Sequence, residues 1–322
     1  MMKRAAVVWL TVAASLVLIG SAVFTAAMVM LKWDFTALST NEYETNEYMP
    51  TEEFGSVSVS TDTADVKILP SEDGVCRVTV REEKGLTHAV KVTDGTLSVE
   101  LQDTRKWYEY VGIGFERTSV TVYLPEGAYT DLSVQVDTGD AEIGSGFAFD
   151  RIEIDSDTGD VTVSSSATGD VRIKTSTGDI RITDAQVGAL TLTVSTGDIA
   201  VRDVSCAGGI DHECSTGKSV FERVGCESFT SVGSTGDLTL KGVVASGKLS
   251  IERSTGDVRF DGSDAAEILV NTDTGDVEGT LLTDKVFLVK TDTGDVRVPS
   301  SVSGGRCEIV TDTGDVTVST VR

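Results

Sequence analysis

The chain has little of what enzymes usually draw on: two histidines and five cysteines in 322 residues. Chemistry that leans on imidazole or thiolate has few candidates. Positive charge is also short. Lys plus Arg number 27 against 51 Asp plus Glu, a net charge of −24. That balance excludes a nucleic-acid binder, because phosphate recognition needs a basic face. It equally opposes adsorption onto anionic lipid headgroups. Prolines number four and aromatics make up 6%. What fills the space is glycine, 32 residues of it, with Val, Thr, Ser and Asp. That mix suits many short strands joined by tight turns rather than helices.

The N-terminus departs from this pattern. Lys3 and Arg4 precede an uncharged apolar run from Ala5 to Leu31, followed by Lys32 and Trp33. As a helix rising ~1.5 Å per residue, the run spans ~40 Å, more than the ~30 Å hydrocarbon core. It is long for a cleaved signal peptide, whose apolar region is about 7–15 residues. Small residues at Gly20, Ala22, Thr25 and Ala27 leave cleavage open as the alternative. Residues 1–33 therefore read as a membrane anchor crossing with residues 5–31, with Trp33 at the interface. Lys3 and Arg4 favour an N-terminus inside and the remainder outside the cytoplasm. No cysteine lies near enough for a lipid-modified N-terminus. Residues 34–53 carry six acidic residues and no basic one, and read as an acidic stalk unable to bury much surface.

The dominant signal is a repeat. A Thr-Gly-Asp corner recurs at Thr138, Thr158, Thr177, Thr196, Thr235, Thr255, Thr274, Thr293 and Thr313, with Thr216-Gly217-Lys218 as a variant. The intervals are all 19 or 20 residues. Thr168 falls midway and marks a turn on the opposite edge. Apolar residues sit six and four positions before each corner (Ile152/Ile154, Leu190/Leu192) and three and five after it (Val161/Val163, Val296/Val298). Period-2 alternation on both sides of a turn predicts strand, corner, strand, second turn. A meander of hairpins and a β-solenoid both satisfy this. The near-constant period favours an all-β, repetitive parallel β-solenoid-like domain of 19–20-residue coils over residues 54–322, after one N-terminal transmembrane helix. A weaker copy opens it: Val57, Val59, Thr61-Asp62-Thr63-Ala64-Asp65, Val66 and Ile68.

With the Val57–Leu69 unit, the Val120-Thr121-Val122-Tyr123-Leu124-Pro125 run and the Ser/Asp-Thr-Gly-Asp-Val ladder, the chain resembles the bacterial adhesin-like β-strand repeat proteins of the DUF4097 family. The resemblance covers nearly all of residues 54–322. It implies an all-β, solenoid-like fold on the bacterial envelope and no catalytic residues. It also implies kinship with membrane-anchored members of envelope-stress gene sets.

Several constellations bear on chemistry. Asp-Thr-Gly, the aspartic-protease triplet, recurs as a repeated corner rather than as two facing carboxylates sharing a proton. Stacked corner aspartates would repel by ~0.9 kcal/mol per pair at ~4.8 Å in water. Hydrogen bonds to corner amides would offset this. Calcium is the functional alternative, and no other cofactor is expected. Its candidate ligands are the doubled corners Asp273/Asp276, Asp292/Asp295 and Asp312/Asp315. Cys206 and Cys226 each lie ten residues after their corner Thr. They would stack in adjacent coils at ~5 Å, within disulfide range. Cys214, Cys307 and His212 fall on inward positions and read as core, although Cys206, His212, Cys214 and Cys226 could together face a metal. Trp107, Tyr108, Tyr110 and Phe115 form an aromatic group that reads as a plug or as a binding loop. The last corner is followed by Val316, Val318 and Val321, so the C-terminal edge reads as the open end of the stack, available to a second copy or a partner strand. The composite expectation is a non-catalytic, membrane-anchored extracytoplasmic module for adhesion or cell-envelope interaction. The alternative is a regulatory envelope-stress component that binds a partner membrane protein.

Overall fold

The computed structural model describes residues 4–34, 42–103 and 116–321. A helix spans Arg4–Met30, and its Val8–Met30 portion is long and apolar enough to cross a membrane. Lys32 and Trp33 end it in the left-handed region, with the Trp33 amide donating to the Met28 carbonyl. Every other element among the described residues is a strand of one continuous sheet.

The body is a parallel β-solenoid. Strand Gly127–Thr138 pairs in parallel with Phe147–Thr158, which pairs with Ser166–Thr177, and so on. Corner threonines align as Thr138, Thr158, Thr177 and Thr196 in successive coils. Side chains alternate, so Ile152, Ile154, Val161 and Val163 point into a core shared by every coil. Each corner glycine has φ between +127° and +156°. A Cβ on Gly178 would sit 2.0 Å from the Gly159 carbonyl oxygen. Coils stack too closely at this edge for any other residue. Thr168 marks the opposite edge, where its hydroxyl donates to Asp150 one coil away and the pairing register shifts.

Both ends depart from sequence order. Ser56–Thr61 pairs with Gly127–Thr138 on one side and with Thr96–Asp103 on the other. Ala64–Pro70 likewise lies between Ala141–Ile143 and Thr118–Leu124. The strands Thr96–Asp103 and Thr118–Leu124 therefore stack outside the strands that precede them in the chain. Antiparallel strands close this pole. Leu86–Thr93 covers Thr96–Asp103 through an Asp94-Gly95 turn with both residues at positive φ. Arg77–Glu83 covers Thr118–Leu124, and Tyr43–Tyr48 covers Arg77–Glu83. The first described strand, Tyr43–Tyr48, thus lies inside the stretch read as a stalk over 34–53. Its counter-charges come from elsewhere in the chain: Arg77 meets Glu47 at 3.1 Å and Lys84 meets Glu42 at 2.9 Å. Local composition cannot show such partners.

At the other pole the last coil is threaded between two earlier ones. Gly305–Thr313 pairs with Val258–Thr274 and with Lys285–Thr293. The corner stacking order is therefore Gly275, Gly314, Gly294. This corrects the expected open end. Val316 and Val318 are buried, because Val277–Leu281 and Val296–Arg297 flank their strand. The outermost rung is made by residues 285–297 instead.

Candidate functional site

The corners form a ladder. Asp140 Oδ1 accepts the Asp160 amide, Asp160 Oδ1 accepts that of Asp179, and Asp179 Oδ1 accepts that of Asp198, at 2.8–2.9 Å. The series continues with Asp198 to Lys218, and again from Asp237 through Asp257 and Asp276 to Asp315 and Asp295. Each carboxylate replaces water at an amide that the tight turn leaves without a strand partner. The Asp179 amide, followed by the Arg181 guanidinium, holds the Asp160 carboxyl below its ordinary range.

Of the six aspartates read as calcium ligands, Asp276 and Asp315 each have one oxygen committed to the next rung. Asp292 pairs with Lys290 at 2.9 Å and Asp295 with Arg297 at 2.7 Å. Asp273 and Asp312 precede the corner threonines on neighbouring rungs, since Thr274 and Thr313 are in register. Among the described residues no group of three or more His, Cys, Asp or Glu is arranged to hold a metal ion. Lys218 breaks the carboxylate column and lies 3.8 Å from Asp237.

Inside the same coils the apolar core contains a polar inclusion. His212 is buried, with Nδ1 2.9 Å from Ser231 Oγ and Nε2 2.9 Å from Ser219 Oγ. Burial, reinforced by the Arg253 charge, pushes its pKa down to about 3. Both ring nitrogens are engaged by hydroxyls rather than by Cys214. Arg253 is 1% exposed and donates through Nη2 to Ser231, while its Nε and Nη1 have no acceptor among the described residues. Gly233 makes room for it: a Cβ there would lie 1.7 Å from Nη1.

Cys206 and Cys226 sit on the opposite edge from the corners. Ser205 and Gly225 are register partners, so the two cysteines occupy one column, as the spacing predicts. Both are buried free thiols. Burial, and then the proximity of Cys206, pushes Cys226 up to about 12. The aromatic group Trp107, Tyr108, Tyr110 and Phe115 lies outside the described residues.

Sequence reasoning missed a second buried constellation, under the capped pole. Glu82 accepts from the His88 amide at 2.6 Å and lies 2.8 Å from His88 Nδ1. His88 Nε2 is 3.0 Å from Thr61 Oγ1, and Asn46 donates to the other Glu82 oxygen at 2.7 Å. Hydroxyl, imidazole and carboxylate stand in the order of a nucleophilic triad. All three are buried, so no substrate reaches the hydroxyl; the group instead ties the edge strand, the cap and the first coil together. The signal for it was the pairing of distant strands, which periodicity does not encode.

The solved structures that resemble this one include candidate adhesins from three bacteria. One from Bacteroides fragilis is 14% identical, with a TM-score of 0.39, over 87% of this chain and 97% of that one. One from Parabacteroides distasonis is 15% identical at TM-score 0.44, covering 88% and 98%. One from Parabacteroides merdae is 12% identical at 0.43, covering 87% and 97%. A search of curated proteins finds no match. The model of the Toastrack DUF4097 family matches residues 54–215 and 213–322, nearly the whole solenoid, and the chain belongs to that family.

Proposed function

We propose that this protein is a non-catalytic, single-pass membrane module whose solenoid stands outside the cytoplasm and serves adhesion or cell-envelope interaction. The observation that carries the reading is the polarity of the stack. The first described strand after the helix, Tyr43–Tyr48, lies at the capped pole, and at the opposite pole Lys285–Thr293 is paired on one side only among the described residues. A rigid body tethered at one end and open at the other is built to present something at a distance. At ~4.8 Å per rung the distance is on the order of 50 Å. Lys3 and Arg4 support the orientation. The buried state of both histidines supports a non-catalytic role.

Topology tests it. With an epitope at the C-terminus of the full chain, protease added to intact cells should remove the solenoid, and protease added to inverted vesicles should spare it. The reverse pattern overturns the reading.

A further inference from the structure

We propose that the open pole is a self-docking edge, through which two copies pair head to head by antiparallel contact of strand Lys285–Thr293, bridging two membranes. The inference rests on the extracytoplasmic reading above. Among the described residues this strand pairs only with Gly305–Thr313. The Thr293 carbonyl faces that inner partner, accepting from the Gly314 amide. Backbone groups alternate along a strand, so those of Val286, Leu288, Lys290 and Asp292 face the open side. Four donors and four acceptors therefore await a partner strand.

The side chains agree. Phe287, Val289 and Val298 are on the core side yet only partly buried, since among the described residues no further rung covers them. Leu288 is 50% exposed and Val296 44%. In an antiparallel pair centred on Leu288, it meets its own copy, and Phe287 of each copy faces Val289 of the other. The two cores would then run on as one.

Two observations point to a second copy as the occupant. First, the other pole ends in antiparallel strands, so a head-to-tail contact would join unlike edges. A symmetric head-to-head contact joins like edges. Second, two chains of net charge −24 repel everywhere except on a neutral patch. This rung comes near to one: of its exposed charges Lys290 pairs with Asp292 and Arg297 with Asp295, which leaves Asp284. Head-to-head pairing places the two tethers at the far ends of a doubled rod. The acidic flanks oppose that rod lying flat on one anionic surface, so the tethers belong in two membranes.

The test uses the full chain in phosphatidylcholine vesicles, with outward-facing molecules counted by protease accessibility. Wild-type vesicles should aggregate, read by light scattering. Leu288→Pro removes an amide that faces the open side, so it should spare the internal pairing and slow aggregation at least tenfold. Leu288→Lys, a charged edge, should do the same. Unchanged melting curves establish that both variants are folded. Leu288→Cys copies should be captured by a short bismaleimide between vesicles of different dye. Vesicles that show accessible solenoids and no aggregation overturn the proposal without touching the topology reading. So does aggregation indifferent to Leu288→Pro. Cross-links confined to vesicles of one dye overturn the bridging of two membranes.

Discussion

Substitution at Asp160 separates the two roles open to the corner carboxylates. Asp160 accepts the Asp179 amide at 2.9 Å and the Arg181 guanidinium at 2.9 Å, with its side chain 45% exposed. A hydrogen bond to a charged group contributes ~1.5–3 kcal/mol when buried, and solvent at this exposure reduces that to about 1. Charge itself adds little. Carboxylates one rung away on each side repel by ~0.9 kcal/mol apiece at ~4.8 Å in water. Arg181, also bonded to Asp179 at 2.6 Å, returns attraction of similar size. Asp160→Asn keeps the acceptor and loses the charge, and should cost less than about 0.5 kcal/mol. Asp160→Ala loses both, and should cost about 1 kcal/mol. Urea unfolding of the two variants gives the difference. The pH dependence follows from the lowered carboxyl pKa. A group depressed in the folded state stabilises above its unfolded value, near 3.8, and that contribution is lost as pH falls through the lower folded value. The Asn variant should therefore be flatter than wild type in that window. If Asn costs as much as Ala, or if millimolar calcium raises the melting temperature of wild type alone, the charge is what matters and the amide ladder is the wrong account.

Other residues give sharper contrasts. Gly178→Ala forces a Cβ onto a carbonyl oxygen at positive φ and should cost about 2–4 kcal/mol in denaturant unfolding, whereas Gly225→Ala, with open space around it, should stay within about 0.5. Arg253→Met removes a buried cation with two unpaired nitrogens and should hold or raise the melting temperature; a loss of several degrees would mean that the guanidinium has a partner. Lys285→Met leaves Asp264 buried without its 2.5 Å partner and should cost about 3–5 kcal/mol, most of it recovered by adding Asp264→Asn, as read by calorimetry. Cys206 and Cys226 should be joined in protein folded through an oxidising compartment, as peptide mapping would show. Folded reduced protein should resist alkylation at pH 8, because both thiols are buried and burial pushes Cys226 up to about 12.

The body of the fold was legible because its physics is periodic. A corner that admits only glycine, with a carboxylate to cap the next amide, must recur wherever a coil turns, and so Thr138 through Thr274 announce their own register. The Cys206–Cys226 column follows from the same count. The poles were not legible, and the reason is the period itself. Coils of equal length and like composition are interchangeable as neighbours, so nothing local says that Gly314 stacks between Gly275 and Gly294. What fixes the order is a contact between distant residues. Gly305 carries no side chain where a Cβ would lie 2.1 Å from the Ala266 carbonyl oxygen, and the Lys285 ammonium passes beside it. That ammonium reaches Asp264 and the Ala265 carbonyl, two rungs inward. A lysine in an apolar strand reads from sequence as a solvated edge; here it is the clasp across the threaded coil. The same holds at the capped pole, where Glu82 and His88 are unremarkable alone and become a tie only when Asn46 and Thr61 arrive from other strands. Threading the last coil inward has a functional consequence. It places Lys285–Thr293, rather than Val316–Thr320, on the outermost described rung, the strand proposed above to pair with a second copy.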